Sequence, residues 1–237
     1  MKTRAAAGCL LVAMAVLGGC AQLPKQAFNR DAATHIRSIV VTQAADQDTY
    51  RAAILGHPAA GFGLVGALVA AADMQAKSTR LTASIDPKEA RLQTRFAEKL
   101  AASLERAGYE STVLVLPTGI RDEEILAHVK KSTSGDATVI VGLTGAYWAA
   151  GPSTDYQPRL IASVRAVDTT GGAILYQDTL TYGSAVPNMK TIHFPSDSAY
   201  RFGDIDILVA DPTKAREGLV RGLDALAEQI AADLKRN

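Results

Sequence analysis

Two spacings of apolar residues run through this chain, and each predicts a different element. Ile36–Thr42 is a near-continuous apolar run around Ile39, Val40 and Val41, which predicts a strand buried on both faces of a layered sheet. Asp86-Pro87-Lys88-Glu89 then offers a cap, a proline suited to the first helical position and a glutamate in the capping-box place. The helix it opens carries Leu92, Phe96, Leu100 and Leu104 on one stripe and stops at Gly108. Its other side is charged, with Arg91, Arg95, Glu98, Lys99, Glu105 and Arg106, so the stripe predicts a helix laid on a sheet.

Thr112–Leu116 predicts a second buried strand, ended by Pro117. Asp122, Glu123 and Glu124, followed by His128, Lys130 and Lys131, suit the two ends of a short helix with Ile125, Leu126 and Val129 as contacts. Ala137–Leu143, running on to Tyr147-Trp148, predicts the third strand. From there the period shortens to two. Leu160, Ala162, Val164 and Ala166 alternate with more polar neighbours, and after a turn at Asp168–Gly172 so do Ile174, Tyr176, Leu180 and Tyr182. That pattern predicts an antiparallel meander. Residues 184–210 hold no clear period and predict an irregular crossing. Asp211-Pro212 opens a last helix striped with Leu219, Leu223, Leu226, Ile230 and Leu234.

The resulting order is β-α-β-α-β-β-β-α. It predicts a single α/β (α+β) domain over 34–237, with a mixed sheet of about five strands and helices packed mainly on one face. An insert at 56–72 interrupts this order. Ala59–Ala72 contains no charge and is rich in Gly61, Gly63, Gly66, Ala67, Ala70, Ala71 and Ala72. As a helix it spans about 21 Å, short of a hydrocarbon core. Each glycine in a merely solvated helix loses about 1 kcal/mol against alanine, so their density predicts close contact with something. Three contacts stay open: the domain's own sheet, another subunit, or a membrane surface.

Gly61-Phe62-Gly63-Leu64-Val65-Gly66 also matches GxGxxG literally. A dinucleotide site needs a strand running straight into the first glycine, and here Gly56-His57-Pro58-Ala59-Ala60 precedes it. The match is rejected and no cofactor is expected. Gly61, Phe62, Gly63, Leu64, Val65 and Gly66 are taken instead as a candidate interaction surface. Trp148, beside the Gly151-Pro152 turn, is added as a partner contact. No catalytic residues emerge, because GxSxG and Ser-x-x-Lys are both missing. His35, His57, His128 and His193 lack zinc spacing, and Asp204-Ile205-Asp206 lacks a calcium-loop pattern, so no metal site is expected. A hydrolase with a dispersed acidic site, or a carrier of lipid or another small ligand, stays open as an alternative to a non-catalytic role.

Charge narrows the partners. The chain carries 25 basic and 24 acidic residues, which offers no electrostatic footprint for nucleic acid. The N-terminus narrows the location. Lys2 and Arg4 precede the apolar stretch Ala5–Leu17, which is too short for a lasting membrane span. Leu17-Gly18-Gly19-Cys20 closes it and resembles a lipobox. The resemblance implies a signal peptide at 1–19 and acyl chains (palmitate among them) on Cys20. Residues 20–33 then form the lipidated N-terminus and a tether. Buried methylenes contribute about 0.8 kcal/mol each, so several chains anchor a protein to a membrane durably. Ala21, standing where an Asp would signal inner-membrane retention, implies an outer-membrane anchor with the domain facing the periplasm. Removal of Cys9 with the signal leaves Cys20 alone, so no disulfide is available.

The lipobox, the strand–helix–strand–helix order, the meander with its Val167-Asp168-Thr169-Thr170-Gly171-Gly172-Ala173-Ile174-Leu175-Tyr176 turn, and the long last helix together resemble one superfamily. It comprises the curli-secretion lipoproteins, the activator lipoproteins of penicillin-binding proteins and the N-terminal domain of TolB. The resemblance implies non-enzymatic assembly work at the cell envelope, through a protein partner or as a homo-oligomer. Two departures stand out: the chain has no amphipathic hairpin pair for a membrane barrel, and no long Pro-rich tether.

Overall fold

The computed structural model describes residues 24–184 and 191–236. Seven strands form one mixed sheet: β1 (Ser38–Gln43), β2 (Arg51–Ile54), β3 (Glu110–Val115), β4 (Ala137–Ala149), β5 (Gln157–Asp168), β6 (Ile174–Gly183) and β7 (Ile192–Phe194). The order across the sheet is β3-β1-β4-β5-β6-β7, and β2 pairs with β4 as well. The helices are α1 (Gly63–Ser84), α2 (Pro87–Ala90), α3 (Leu92–Arg106), α4 (Asp122–Ser132), α5 (Ile205–Ala210) and α6 (Pro212–Asp233). A mixed α/β sheet with both element types substantial is what the periodicity predicts.

β4 organises the sheet because it is long enough to pair with two strands along one edge. β1 lies parallel to Ala137–Val139 and β2 parallel to Ala146–Ala149. The gap between them is filled by side chains of the β1–β2 connection. Gln47 Oε1 accepts from the Gly145 amide at 2.6 Å, completing a ladder position that no strand reaches. Asp46 Oδ1 accepts from the Gln93 amide at 2.7 Å and so caps the start of α3. On the other edge of β4, the β4–β5–β6 meander pairs antiparallel throughout, as its two-residue period predicts.

α3 and α6 cross the same sheet face and build the main core. Leu92, Phe96, Leu100 and Leu104 of α3 pack there with Leu219, Leu223, Leu226 and Ile230 of α6 and with Leu234 just beyond it, all essentially solvent-free. Three tyrosines pin this layer through their hydroxyls. Tyr147 donates to the Ala215 carbonyl at 2.8 Å, Tyr109 to Leu234 at 2.5 Å and Tyr176 to Asp233 at 2.9 Å. α6 approaches closely because a Cβ on Gly222 would collide with Tyr182 and Leu160. α4 takes the opposite face, where Ile125 and Val129 join Val40 and Leu116 in a small second cluster.

Four local expectations need correction. The Thr112–Leu116 stretch is an edge rather than a buried strand: β3 borders only β1, and Val115 is 62% exposed. An apolar run alone cannot show that the sheet ends there. The helix expected from Asp86 to Gly108 breaks at Arg91, which adopts φ +45°, so α2 and α3 are separate. Asp86 caps only α2, through the Lys88 amide at 2.9 Å. The crossing at 184–210 contains β7 and α5, both too short to show a period. Finally, much of the stretch read as tether is bound to the sheet. Gln26 exchanges two backbone hydrogen bonds with Gln177 of β6 (2.7 and 3.0 Å), Asn29 donates to Leu175, and Ala33 is buried.

Candidate functional site

The glycine-rich stretch forms the junction between β2 and α1. β2 ends at Ile54, and a 3-10 turn over Pro58–Gly61 leads to Phe62, which precedes the first turn of α1. His57 shapes this turn from both ring nitrogens. Its Nδ1 accepts from the Ala59 amide at 3.2 Å, which leaves the proton on Nε2 to reach Asp73 at 3.1 Å. Lys77 bonds the same carboxylate oxygen from the next turn of α1. Burial acts to raise the Asp73 pKa, but the hydrogen bonds from Lys77 and His57 outweigh it and hold the carboxyl below its ordinary value.

α1 runs antiparallel along the free edge of β2. Ser78 and Thr82, one turn apart, replace a neighbouring strand. The Ala52 amide donates to Ser78 Oγ at 3.0 Å and the Tyr50 amide to Thr82 Oγ1 at 2.9 Å. The edge is thereby satisfied without inviting another strand. A groove of about 630 Å³ lies beside this contact, lined by Tyr50, Arg51, Met74, Ser78 and Thr82 among others. Because Ser78 sits level with Ala52, the first turns of α1 overshoot the end of β2 by about 15 Å.

That overhang decides where the candidate residues lie. Phe62, Leu64 and Val65 are 79, 78 and 73% exposed, and Leu68 and Val69 beside them are also open. Gly61 is exposed, and Gly63 begins the helix at φ +63°, a conformation that disfavours a side chain. Gly66 differs from the other five. It is buried against the 3-10 turn, where a Cβ would overlap the Ala59 carbonyl oxygen. The stretch is therefore not covered by the domain's own sheet, which ends before reaching it. Only Gly66 and Ala70 face inward in this half of the helix.

Trp148 is half-buried at the end of β4, with the Arg159 guanidinium 4.0 Å over its ring. Arg159 is 3% exposed, and burial pushes its pKa down. Sequence reading missed Arg159, which looks like an ordinary polar position of an alternating strand. The tyrosines of the meander, Tyr147, Tyr156, Tyr176 and Tyr182, are all core. Burial, with Asp73 and Asp204 nearby, pushes the Tyr156 hydroxyl up to about 12.

Two further shifted carboxylates serve backbone structure. Asp136 accepts from the amides of Arg37 and Ser38 at 2.8 and 2.9 Å, which lowers its pKa and fixes the start of β1 beside β4. Asp168 accepts from the Gly171 amide at 2.7 Å, lowering its pKa and closing the β5–β6 turn. A general acid needs a shift in the other direction. His35 reaches Asp168, His128 reaches Ser132 and His193 reaches Thr181. Among the described residues, no group of three or more His, Cys, Asp or Glu could hold a metal, and no helix is long and apolar enough to cross a membrane. Leu17–Cys20, including the expected lipidation at Cys20, lies outside the described residues.

No protein-family model and no curated protein matches the chain. Solved structures with a similar course include the PelC dodecamer of Paraburkholderia phytofirmans, at 13% identity over 91% of this chain and 96% of that one, with a TM-score of 0.37. A neuraminyllactose-binding hemagglutinin homolog of Helicobacter pylori gives 10% identity over 84% and 86%, with a TM-score of 0.39. Lipoprotein GNA1162 of Neisseria meningitidis gives 15% identity over 65% and 84%, with a TM-score of 0.26. Likenesses at this level assign no family, and the superfamily resemblance rests on the sequence features alone.

Proposed function

We propose that this protein is a non-catalytic lipoprotein of the outer membrane, anchored through acylated Cys20, whose periplasmic domain acts as an interaction or assembly module. The observation that carries the reading is the uncovered apolar overhang of α1, from Phe62 to Val69. Contiguous bulky apolar side chains left in water mark a surface that another body covers. The lipobox resemblance supplies the location, and the lowered pKa values of Asp73, Asp136 and Asp168 support a structural role for these carboxylates. Mass spectrometry of the protein purified from membranes tests the anchor, with a triacylated Cys20 expected at the processed N-terminus. Photo-crosslinkers placed at Phe62 and at Trp148 test the module. Envelope or self adducts are expected from Phe62, and adducts from Trp148 alone would overturn the choice of surface.

A further inference from the structure

We propose that the sheet face opposite α3 and α6 holds a carboxylate-bearing ligand where β2, β4 and β5 run side by side past Arg51, Trp148 and Arg159, with Arg159 as its counter-charge. The site stands apart from the lipid anchor and does not depend on the α1 overhang. It begins with a charge that has no partner. Arg159 is 3% exposed, yet its Nε and Nη1, like Trp148 Nε1, lie out of solvent and find no acceptor among the described residues. All three are donors. The indole ring attracts the guanidinium over it but offers no oxygen to accept its protons. Burial lowers the Arg159 pKa, and no carboxylate acts to raise it. A buried charge without counter-ion or acceptor is costly to retain, so this one points to a group that binds there. A water accepts one such hydrogen bond and leaves the charge unmatched.

Strand register supplies the surroundings. Arg51, Ala146 and Arg159 are partners in one row across β2, β4 and β5, and Ala53, Trp148 and Gln157 form a second row two residues along. Side chains of both rows point away from the core face, which takes Ala52, Tyr147 and Leu160 instead. Arg51 is exposed and stands two strands from Arg159, about 10 Å between Cα atoms, near enough for both guanidinium groups to meet one carboxylate above the Ala146 methyl. No Asp or Glu occurs in these two rows. α4 packs around Val40 and Ile140, and Gly142 and Thr144, between Ile140 and Ala146 on β4, are exposed, so this end of the face stays open. Arg51 and Ala53 also line the groove of about 630 Å³ beside α1, which leaves room for the rest of a ligand along Ala71, Met74 and Gln75. A carboxylate suits the site better than a phosphate. It is planar, its two oxygens match the guanidinium fork, and it carries the single charge that one buried guanidinium neutralises. That carboxylate belongs either to a free organic acid or to an acidic side chain of a partner, and the titration separates the two.

Trp148 is the one tryptophan of the chain, so tryptophan emission reports on this site alone. The full chain in a nonionic detergent is titrated at neutral pH and constant ionic strength, with chloride as the balancing anion. The probes are acetate, the peptide acetyl-Gly-Asp-Gly-amide and its uncharged control acetyl-Gly-Asn-Gly-amide. Both carboxylates should change the emission saturably, while the Asn peptide and chloride should not. No response, or a linear response equal for every additive, overturns the proposal. Tighter binding of the Asp peptide than of acetate assigns the site to an acidic side chain, and equal or weaker binding assigns it to a free acid. Arg159→Met should weaken carboxylate binding at least about tenfold, the loss expected for one charge-assisted hydrogen bond. Its thermal midpoint should hold or rise, because an unmatched buried charge has been removed. A merely structural Arg159 would instead lower the midpoint and leave the affinity unchanged, and unchanged affinity sinks the proposal whatever the stability. Arg51→Met serves if Arg159→Met does not fold, since Arg51 is exposed. It should weaken binding by about twofold to fivefold, the range of an exposed ion pair, and an unaltered titration in that variant overturns the shared site.

Discussion

α1 and α6 are both 22 residues long, yet nine residues of α6 are buried and only three of α1. α6 is fastened at both ends. Asp211 accepts from the Lys214 amide at 3.0 Å, Pro212 follows it, Tyr147 reaches the Ala215 carbonyl in its first turn and Tyr109 the Leu234 carbonyl just past its end. α1 is fastened only along its second half, by Ser78 and Thr82 on the edge of β2 and by Leu81 in the core. Its first half stands clear of the sheet with only a 3-10 turn against it. One helix holds the fold together, and the other is held by the fold and presents a surface. The difference arises from where each helix ends relative to the sheet rather than from hydrophobicity.

This contrast can be broken most forcefully inside α6. Leu223→Ala removes a solvent-free side chain from between helix and sheet and should cost about 2–5 kcal/mol in urea unfolding. A loss below about 1 kcal/mol would mean that α6 is not the main clamp. Gly66→Val is the corresponding insult to α1. It forces a side chain into the Ala59 backbone and should cost about 1–3 kcal/mol. That cost should appear as faster amide exchange at the start of α1 with little change in the exchange of α6.

pH offers a milder separation. Asp73 has a lowered pKa in the folded protein, so the stability it contributes is fully present above the unfolded value of about 3.9. The contribution fades as pH falls past that value and is gone below the lowered folded one. Acid should therefore loosen the His57–Asp73–Lys77 contact, increasing exchange of α1 amides once intrinsic rates are corrected. Asp73→Asn should remove this pH dependence; if it persists in the variant, another group is responsible. The smallest effect belongs to Leu68→Glu. Because Leu68 is already in water, its replacement should move the midpoint of unfolding by no more than about 0.5 kcal/mol equivalent. A larger loss would show that the overhang is packed on the domain after all.

Much of the fold was legible because regular burial leaves a period. The α6 stripe from Leu219 to Leu234, the α3 stripe from Leu92 to Leu104 and the two-residue alternation of β5 each face a continuous neighbour. β2 and β7, four and three residues long, are too short to show any period and exist because β4 and β6 offer them a partner. The glycine-rich stretch stood out in composition as the charge-free run Ala59–Ala72, and within it Phe62, Leu64 and Val65 are exposed. Its roles were not legible. Nothing in the local pattern separates Gly66, which seats the 3-10 turn, from Gly63, which only sets a backbone angle. Nor does an alternating strand announce that Arg159 will lie over Trp148, because that pairing depends on the register of β4 against β5.

Helix and strand are encoded locally wherever one face is steadily buried, and so are the caps at Asp86 and Asp211. That β3 is an edge, that the chain from Pro24 onward is bound to β6 and that α1 runs past the end of its sheet follow instead from packing between distant segments. Periodicity records the side of an element that meets its neighbour, whereas edges and overhangs depend on where that neighbour stops, which is set by residues far away in the chain.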